Sequence, residues 1–165
     1  MPRTIPNSEY IVHTNGKSRC HINNLSAKEM DFTLKGASKI RAKNLEVERA
    51  KLVLKNTAKG KLNPFKVSLL DLNLRNHSQL NLQGAINKLN VKGRGSSKLT
   101  RETEQGVDAL WVSMKHRAVA RINSSVTMAT GKISDNADLT IQTLLKASAI
   151  KQKNKAKVTV VTISG

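Results

Sequence analysis

Apolar and polar residues alternate in short runs along most of this chain, and the runs recur. Four of them align: Asp31-Phe32-Thr33-Leu34-Lys35-Gly36, Lys51-Leu52-Val53-Leu54-Lys55-Asn56, Asp71-Leu72-Asn73-Leu74-Arg75-Asn76 and Lys88-Leu89-Asn90-Val91-Lys92-Gly93. Each consists of a charge, an apolar-x-apolar pair, a cation, and then Gly or Asn, at offsets of 20, 20 and 17 residues. Period-two alternation closed by a residue that tolerates positive φ describes a short strand ending in a tight bend. Repeated at a near-constant period, that unit predicts a β-solenoid. Further apolar positions recur between the runs: Leu25, Leu45 and Phe65 stand twenty apart, and Ile40, Leu62, Leu80 and Leu99 follow the bends by four to six residues. Three short strands per coil is the pattern of a parallel β-helix, with coils stacked at about 4.8 Å.

The 165 residues read as a single domain in four stretches. Residues 1–22 are expected as an irregular lead-in and N-terminal cap, with a short strand near Tyr10-Ile11-Val12 and a turn at Asn15-Gly16. Residues 23–100 are expected as regular coils, 101–106 as a polar loop, and 107–165 as irregular coils with a C-terminal cap. Leu144 to Asn154 fits a strand pair or a short helix over the open end. Aromatics are 2% of the chain, so the core must be aliphatic, which suits a narrow interior that stacks like on like. The single cysteine, Cys20, excludes an internal disulfide. No stretch reaches the length of a transmembrane span, and the first 25 residues lack the apolar region of a secretory leader.

Charge changes the picture next. The chain holds 29 Lys and Arg against 11 Asp and Glu, a formal +18, spread along its length with no basic tail. Such a surface attracts polyanions: nucleic acid, acidic glycans, lipopolysaccharide or an anionic membrane face. Stacking the four runs yields two kinds of column. The position before each apolar pair alternates in sign, Asp31, Lys51, Asp71, Lys88, which is the cross-strand pairing that stabilises a sheet. The position after it is uniformly basic, Lys35, Lys55, Arg75, Lys92, and a column beyond the bend reads Lys39, Lys61, Gln79, Lys98. Together these predict a basic stripe along one edge, a groove for a linear polyanion. The competing reading is that solvent-facing Lys only covers apolar surface and keeps the molecule soluble.

Catalytic chemistry finds little purchase. Glycoside hydrolysis needs a pair of carboxylates a few ångströms apart, and the close candidates, Asp135 with Asp138 and Glu102 with Glu104, fall in polar, turn-like surroundings. His13, Cys20 and His21 come nearest to a metal set, but adjacent Cys and His on a strand point to opposite faces. No catalytic residue, metal site or cofactor is expected. Readers of single-stranded nucleic acid stack bases on aromatics, and this chain has only Tyr10, Phe32, Phe65 and Trp111. Nucleic-acid binding would therefore be to the backbone alone.

The paired segments Gly36-Ala37-Ser38-Lys39-Ile40 and Gly95-Ser96-Ser97-Lys98-Leu99 resemble the turns of the head-GIN domain family of auto-transporter adhesins, over about residues 22–100. The middle coils depart from it, with Asn56-Thr57-Ala58 and Asn76-His77-Ser78 in place of glycine turns. The resemblance implies a right-handed β-helix, a handedness that parallel crossovers also favour. It also implies an envelope or extracellular setting and a non-enzymatic role in adhesion; the chain itself leaves a cytoplasmic location open. Two other readings stand beside it: a scaffold that self-associates through its solenoid ends, as bactofilin-type filaments do, and a sequence-independent binder of nucleic-acid backbone.

Overall fold

The computed structural model describes residues 9–163 apart from Pro64, Glu104, Ala147 and Ser148. Among them there are thirteen strands and no helix: β1 Glu9–Thr14, β2 Arg19–Leu34, β3 Lys39–Leu54, β4 Lys59–Leu62, β5 Phe65–Leu74, β6 Gln79–Leu82, β7 Ile86–Gly93, β8 Lys98–Glu102, β9 Val107–Met114, β10 Val119–Ile133, β11 Asp138–Leu144, β12 Ala149–Gln152 and β13 Lys157–Ile163. Every pairing is parallel, and each coil pairs with the next about twenty residues on. The chain is a β-solenoid of about eight turns.

Each coil has three sides, and the burial pattern shows why. In β3, Ile40 and Ala42 face inward, then Leu45 and Val47, then Ala50, Leu52 and Leu54. The alternation changes phase at Asn44 and again at Glu48–Arg49, where the chain turns a corner. We call the side that follows the tight bend the first side (β4, β6 and β8 lie on it), and the side that precedes the bend the third (β7 and β9 end on it). At the first corner Asn24 and Asn44 adopt φ of 58° and 55°, and the Asn44 side-chain amide donates to Asn24 Oδ1 at 2.9 Å. Asparagine tolerates this left-handed conformation better than a branched residue does.

The tight bend recurs eight times, at Gly16, Gly36, Asn56, Asn76, Gly95, His116, Asp135 and Asn154, all with φ between 60° and 73°. Two residues later comes a small side chain. Ser38, Ala58, Ser78, Ser97, Ala118 and Ala137 are all buried there, because the bend leaves no room for more. Ser38 Oγ donates back to the Lys35 carbonyl at 2.6 Å, closing the turn. The Gly-x-Ser segments are thus one form of a unit that runs the length of the molecule.

Several expectations need correction. In residues 9–22 the expected strand at Tyr10–Val12 and turn at Asn15-Gly16 are present, but the stretch is regular: β1 pairs with Glu29–Leu34, and Arg19–Asn23 already pairs with β3. Arg101 and Glu102 are strand residues of β8, so the polar loop is confined to the corner that follows them. Beyond residue 107 the described residues continue as stacked coils, with one register shift between Ile122 and Ser125; within Leu144–Asn154, strand β12 pairs with β10. Residues 1–8 lie outside the described part. The fourth aligned run was slipped by two positions. Leu70, Leu72 and Leu74 pair with Leu89, Val91 and Gly93, so Gly93 is no bend but an interior residue in the column Leu34, Leu54, Leu74, Gly93, Met114. The bend is at Gly95. A second glycine misleads differently, by leaving to Leu62 the place expected of the apolar partner of Ile40 and Leu80. Gly60 is interior, between Ile40 and Leu80, and the Leu80 side chain fills the space a larger residue would take.

Candidate functional site: a cationic face and edge

The strands of the first side direct alternate residues outward. One outward column reads Arg19, Lys39, Lys59, Gln79, Lys98, and the next reads His21, Arg41, Lys61, Asn81, Thr100, Arg121. Lys43, paired with Asn23, extends the array. Across the four coils from Arg19 to Gln83 these outward positions hold six cations (Arg19, Lys39, Arg41, Lys43, Lys59 and Lys61), all exposed, and no acid. Strand geometry sets their spacing at about 4.8 Å between coils and about 6.8 Å along a coil. The result is a two-dimensional grid of positive charge.

The bend edge adjoins this face. Its column, taken from the backbone bonds between coils, reads Lys35, Lys55, Arg75, Arg94, Lys115: the Lys55 N–H donates to the Leu34 carbonyl at 2.9 Å, Arg75 to Leu54 at 2.9 Å, Arg94 to Leu74 at 2.9 Å and Lys115 to Gly93 at 3.0 Å. Five successive coils therefore carry a cation at the same place. Among the described residues the one ion pair is Lys66 with Glu46 at 3.2 Å, on a different side. Neighbouring cations 4.8 Å apart in water repel by up to about 0.9 kcal/mol; at the far end of the column Asp135, in the next bend, offsets this for Lys115.

Of the sequence-predicted stripe, Lys35, Lys55 and Arg75 share the edge column, and Lys39 and Lys98 share a face column. Lys92 leaves the edge: it pairs with Asn73 and Ser113 on the third side, and Arg94 takes its place. Lys61 moves one column across, beside Arg41, and Lys59 takes the position assigned to it. Both shifts follow from the interior glycines: Gly93 reads as a bend, and Gly60 holds the interior place that the series Ile40, Leu62, Leu80 gives to Leu62. Arg19, Arg41, Lys43, Lys59, Arg94 and Lys115 were missed. The unit of a bend residue, any residue and then Ser or Ala finds them, because the residue before the bend is the edge cation. The alternating column is Asp31, Lys51, Asp71, Asn90, not Lys88, and Asn90 Nδ2 donates to Asp71 Oδ1 at 2.7 Å.

The candidate chemical groups are scattered along the same bends and strands. Asp135 occupies a bend, where its carboxylate accepts from the His116 N–H at 3.2 Å and from Asn154 Nδ2 at 3.0 Å. The backbone bond, then the Asn154 bond, hold its carboxyl below the ordinary range. Asp138 stands on a strand, three residues on, and Glu104 lies outside the described residues. Cys20 points inward, packed over Ile40, with burial pushing its thiol up, whereas His21 points out. Among the described residues no three His, Cys, Asp or Glu side chains converge as a metal set. No helix of the described residues is long and apolar enough to cross a membrane.

One charge is internal. Arg101 stands in an interior column of the first side between Leu82 and Ile122 and is fully buried. Its guanidinium donates to Ser124 Oγ and, at 2.9 Å each, to the carbonyls of Gly84 and Gln105, tying three successive coils at their corner. Burial pulls its pKa down to about 10. All its partners are neutral oxygens, so it serves the corner and is not part of the surface array.

These features define a parallel β-solenoid with one cationic face and edge. Compared with protein-family models, curated proteins and solved structures, the chain matches none of them.

Proposed function

We propose that this protein is a non-enzymatic binding module whose first side and bend edge hold an extended polyanion. The observation that carries the reading is the acid-free grid from Arg19 to Lys61, continuous with the edge column Lys35 to Lys115. Cations needed only for solubility gain by interspersion with acids, as on the third side, where Asp31, Lys51 and Asp71 alternate. Concentrating one sign on one face raises the local potential and attracts a ligand that neutralises several charges together. A linear polyanion laid across the coils meets a cation about every 4.8 Å along the edge. The turn resemblance to the head-GIN adhesins supports an envelope setting, where acidic glycans and lipopolysaccharide are the available polyanions.

The test is a salt series of binding to heparin, lipopolysaccharide and duplex DNA. Lys39→Glu/Lys59→Glu on the face is compared with Lys28→Glu/Arg49→Glu on the other sides, which changes the net charge equally. The expected result is a loss of affinity for the face pair alone, with the slope of log affinity against log salt reduced by about two for DNA. Equal, modest losses in both variants overturn the reading and return the charge to a role in solubility.

A further inference from the structure

The one tryptophan of this chain is on the surface. Trp111 points outward from the middle of β9 on the third side, 36% exposed, with Asn90 on the coil before it and Thr130 on the coil after. The register places Lys88, Lys92 and Lys132 at its diagonals, together with Met128, itself 47% exposed. Lys92 Nζ is 5.9 Å from the ring centroid, within reach of a cation–π contact that biases the ring's orientation. A flat apolar platform is thus ringed by three cations on the side of the bend edge away from the basic face.

One further group separates the candidate ligands. Asn90 spends one of its two amide N–H groups on Asp71, which leaves Asn90 Oδ1 beside the platform and the second Asp71 oxygen one coil farther on as acceptors. A phosphate backbone brings only acceptors, and the Asp71 carboxylate repels it. A sugar brings hydroxyl donors, which these oxygens satisfy, and an apolar ring face, which an indole covers. We infer that Trp111 is the stacking platform of a subsite for an acidic polysaccharide. The ring of one sugar lies on the indole, hydroxyls donate to Asp71 and Asn90, and carboxylates or sulfates meet Lys88, Lys92 and Lys132. This inference rests on the polyanion reading and names its ligand class.

The sole tryptophan is also the reporter. An oligogalacturonate octamer and a dT12 oligonucleotide are titrated by fluorescence and by calorimetry against wild type, Trp111→Ala, Trp111→Phe, Asp71→Ala and Lys39→Glu/Lys59→Glu, each checked for a retained β-sheet circular dichroism spectrum and a cooperative melt. The octamer should shift the emission of the wild type. Trp111→Ala should weaken octamer binding roughly tenfold and Trp111→Phe about threefold or less. Asp71→Ala should also weaken the octamer, whereas removal of an acid would strengthen any purely electrostatic ligand. If Trp111→Ala leaves the octamer unaffected while the face pair weakens it, the platform is overturned and the polyanion reading stands. If dT12 depends on Trp111 and the octamer does not, the site stacks bases and the glycan class is overturned. If neither ligand binds the wild type, both readings fall.

Discussion

Two glycines and an arginine explain most of what a linear reading misplaces. Gly60 and Gly93 are interior because a neighbour fills the missing volume: Leu80 reaches over Gly60, and Ala118 crowds Gly93, where an added Cβ would come within 3.1 Å of it. From sequence a glycine after a strand signals a bend, and nothing local separates that use from this one. Arg101 inverts the usual rule for charge. It sits in a column of Ala42, Leu62, Leu82, Ile122 and Ile141, where an aliphatic residue is the default. Its planar fork reaches two carbonyls and a hydroxyl from three coils, which an ammonium cannot reproduce. Arg101→Lys is therefore expected to lose about 3–5 kcal/mol of stability in urea unfolding, since the charge stays buried without its bonds. Arg101→Met, which removes the charge, should lose less than about 2 kcal/mol. Equal losses would assign the whole contribution to the three hydrogen bonds.

At the scale of the coil, the bend is the legible element. A left-handed residue, a free position and a small residue recur eight times, the small residue buried in six of them, and the first five bends use only Gly or Asn. His116 and Asp135 hold the same φ by other means. The Gly95 N–H reaches His116 Nδ1 at 3.4 Å, and Asp135 accepts from His116 on the coil before it and Asn154 on the coil after it. These substitutes concealed the regular period beyond residue 107. Not all glycines of the fold are equally required. Gly16 has φ of 72° and open space around its missing Cβ, so Gly16→Ala should cost only the left-handed penalty of about 1–2 kcal/mol. Gly131, at φ of 133°, would drive a Cβ into the Val112 carbonyl. Gly131→Ala should cost about 3 kcal/mol or more by denaturant unfolding, and a similar small cost at both positions would contradict the register of β9 and β10.

For the whole molecule, the solenoid converts a composition into a field. A charge of +18 scattered along a flexible chain is diffuse. Stacked coils bring residues twenty apart in sequence to about 4.8 Å, and the repulsion that follows opposes folding. The melting temperature should therefore rise as sodium chloride goes from about 10 mM to about 200 mM, while the screening length falls from about 30 Å to under 10 Å. Lys39→Glu/Lys59→Glu should melt higher than wild type at the low-salt end and lose that advantage at the high end. A melting temperature that does not respond to salt would mean that the cations lie too far apart to repel.

The sequence by itself determined the architecture: alternation of period two, a twenty-residue repeat, and bends marked by residues that accept positive φ are local properties, and stacked parallel coils are the one arrangement that satisfies them together. It also located the start of the basic edge at Lys35, Lys55 and Arg75. Only the tertiary structure decided which cations share a column beyond them, because register depends on whether Gly60 and Gly93 face the core, and that depends on side chains twenty residues away. The same dependence moved Lys92 from the edge to the flank of Trp111 and placed Arg101 inside. Column membership is a property of neighbouring coils, and no coil carries it alone.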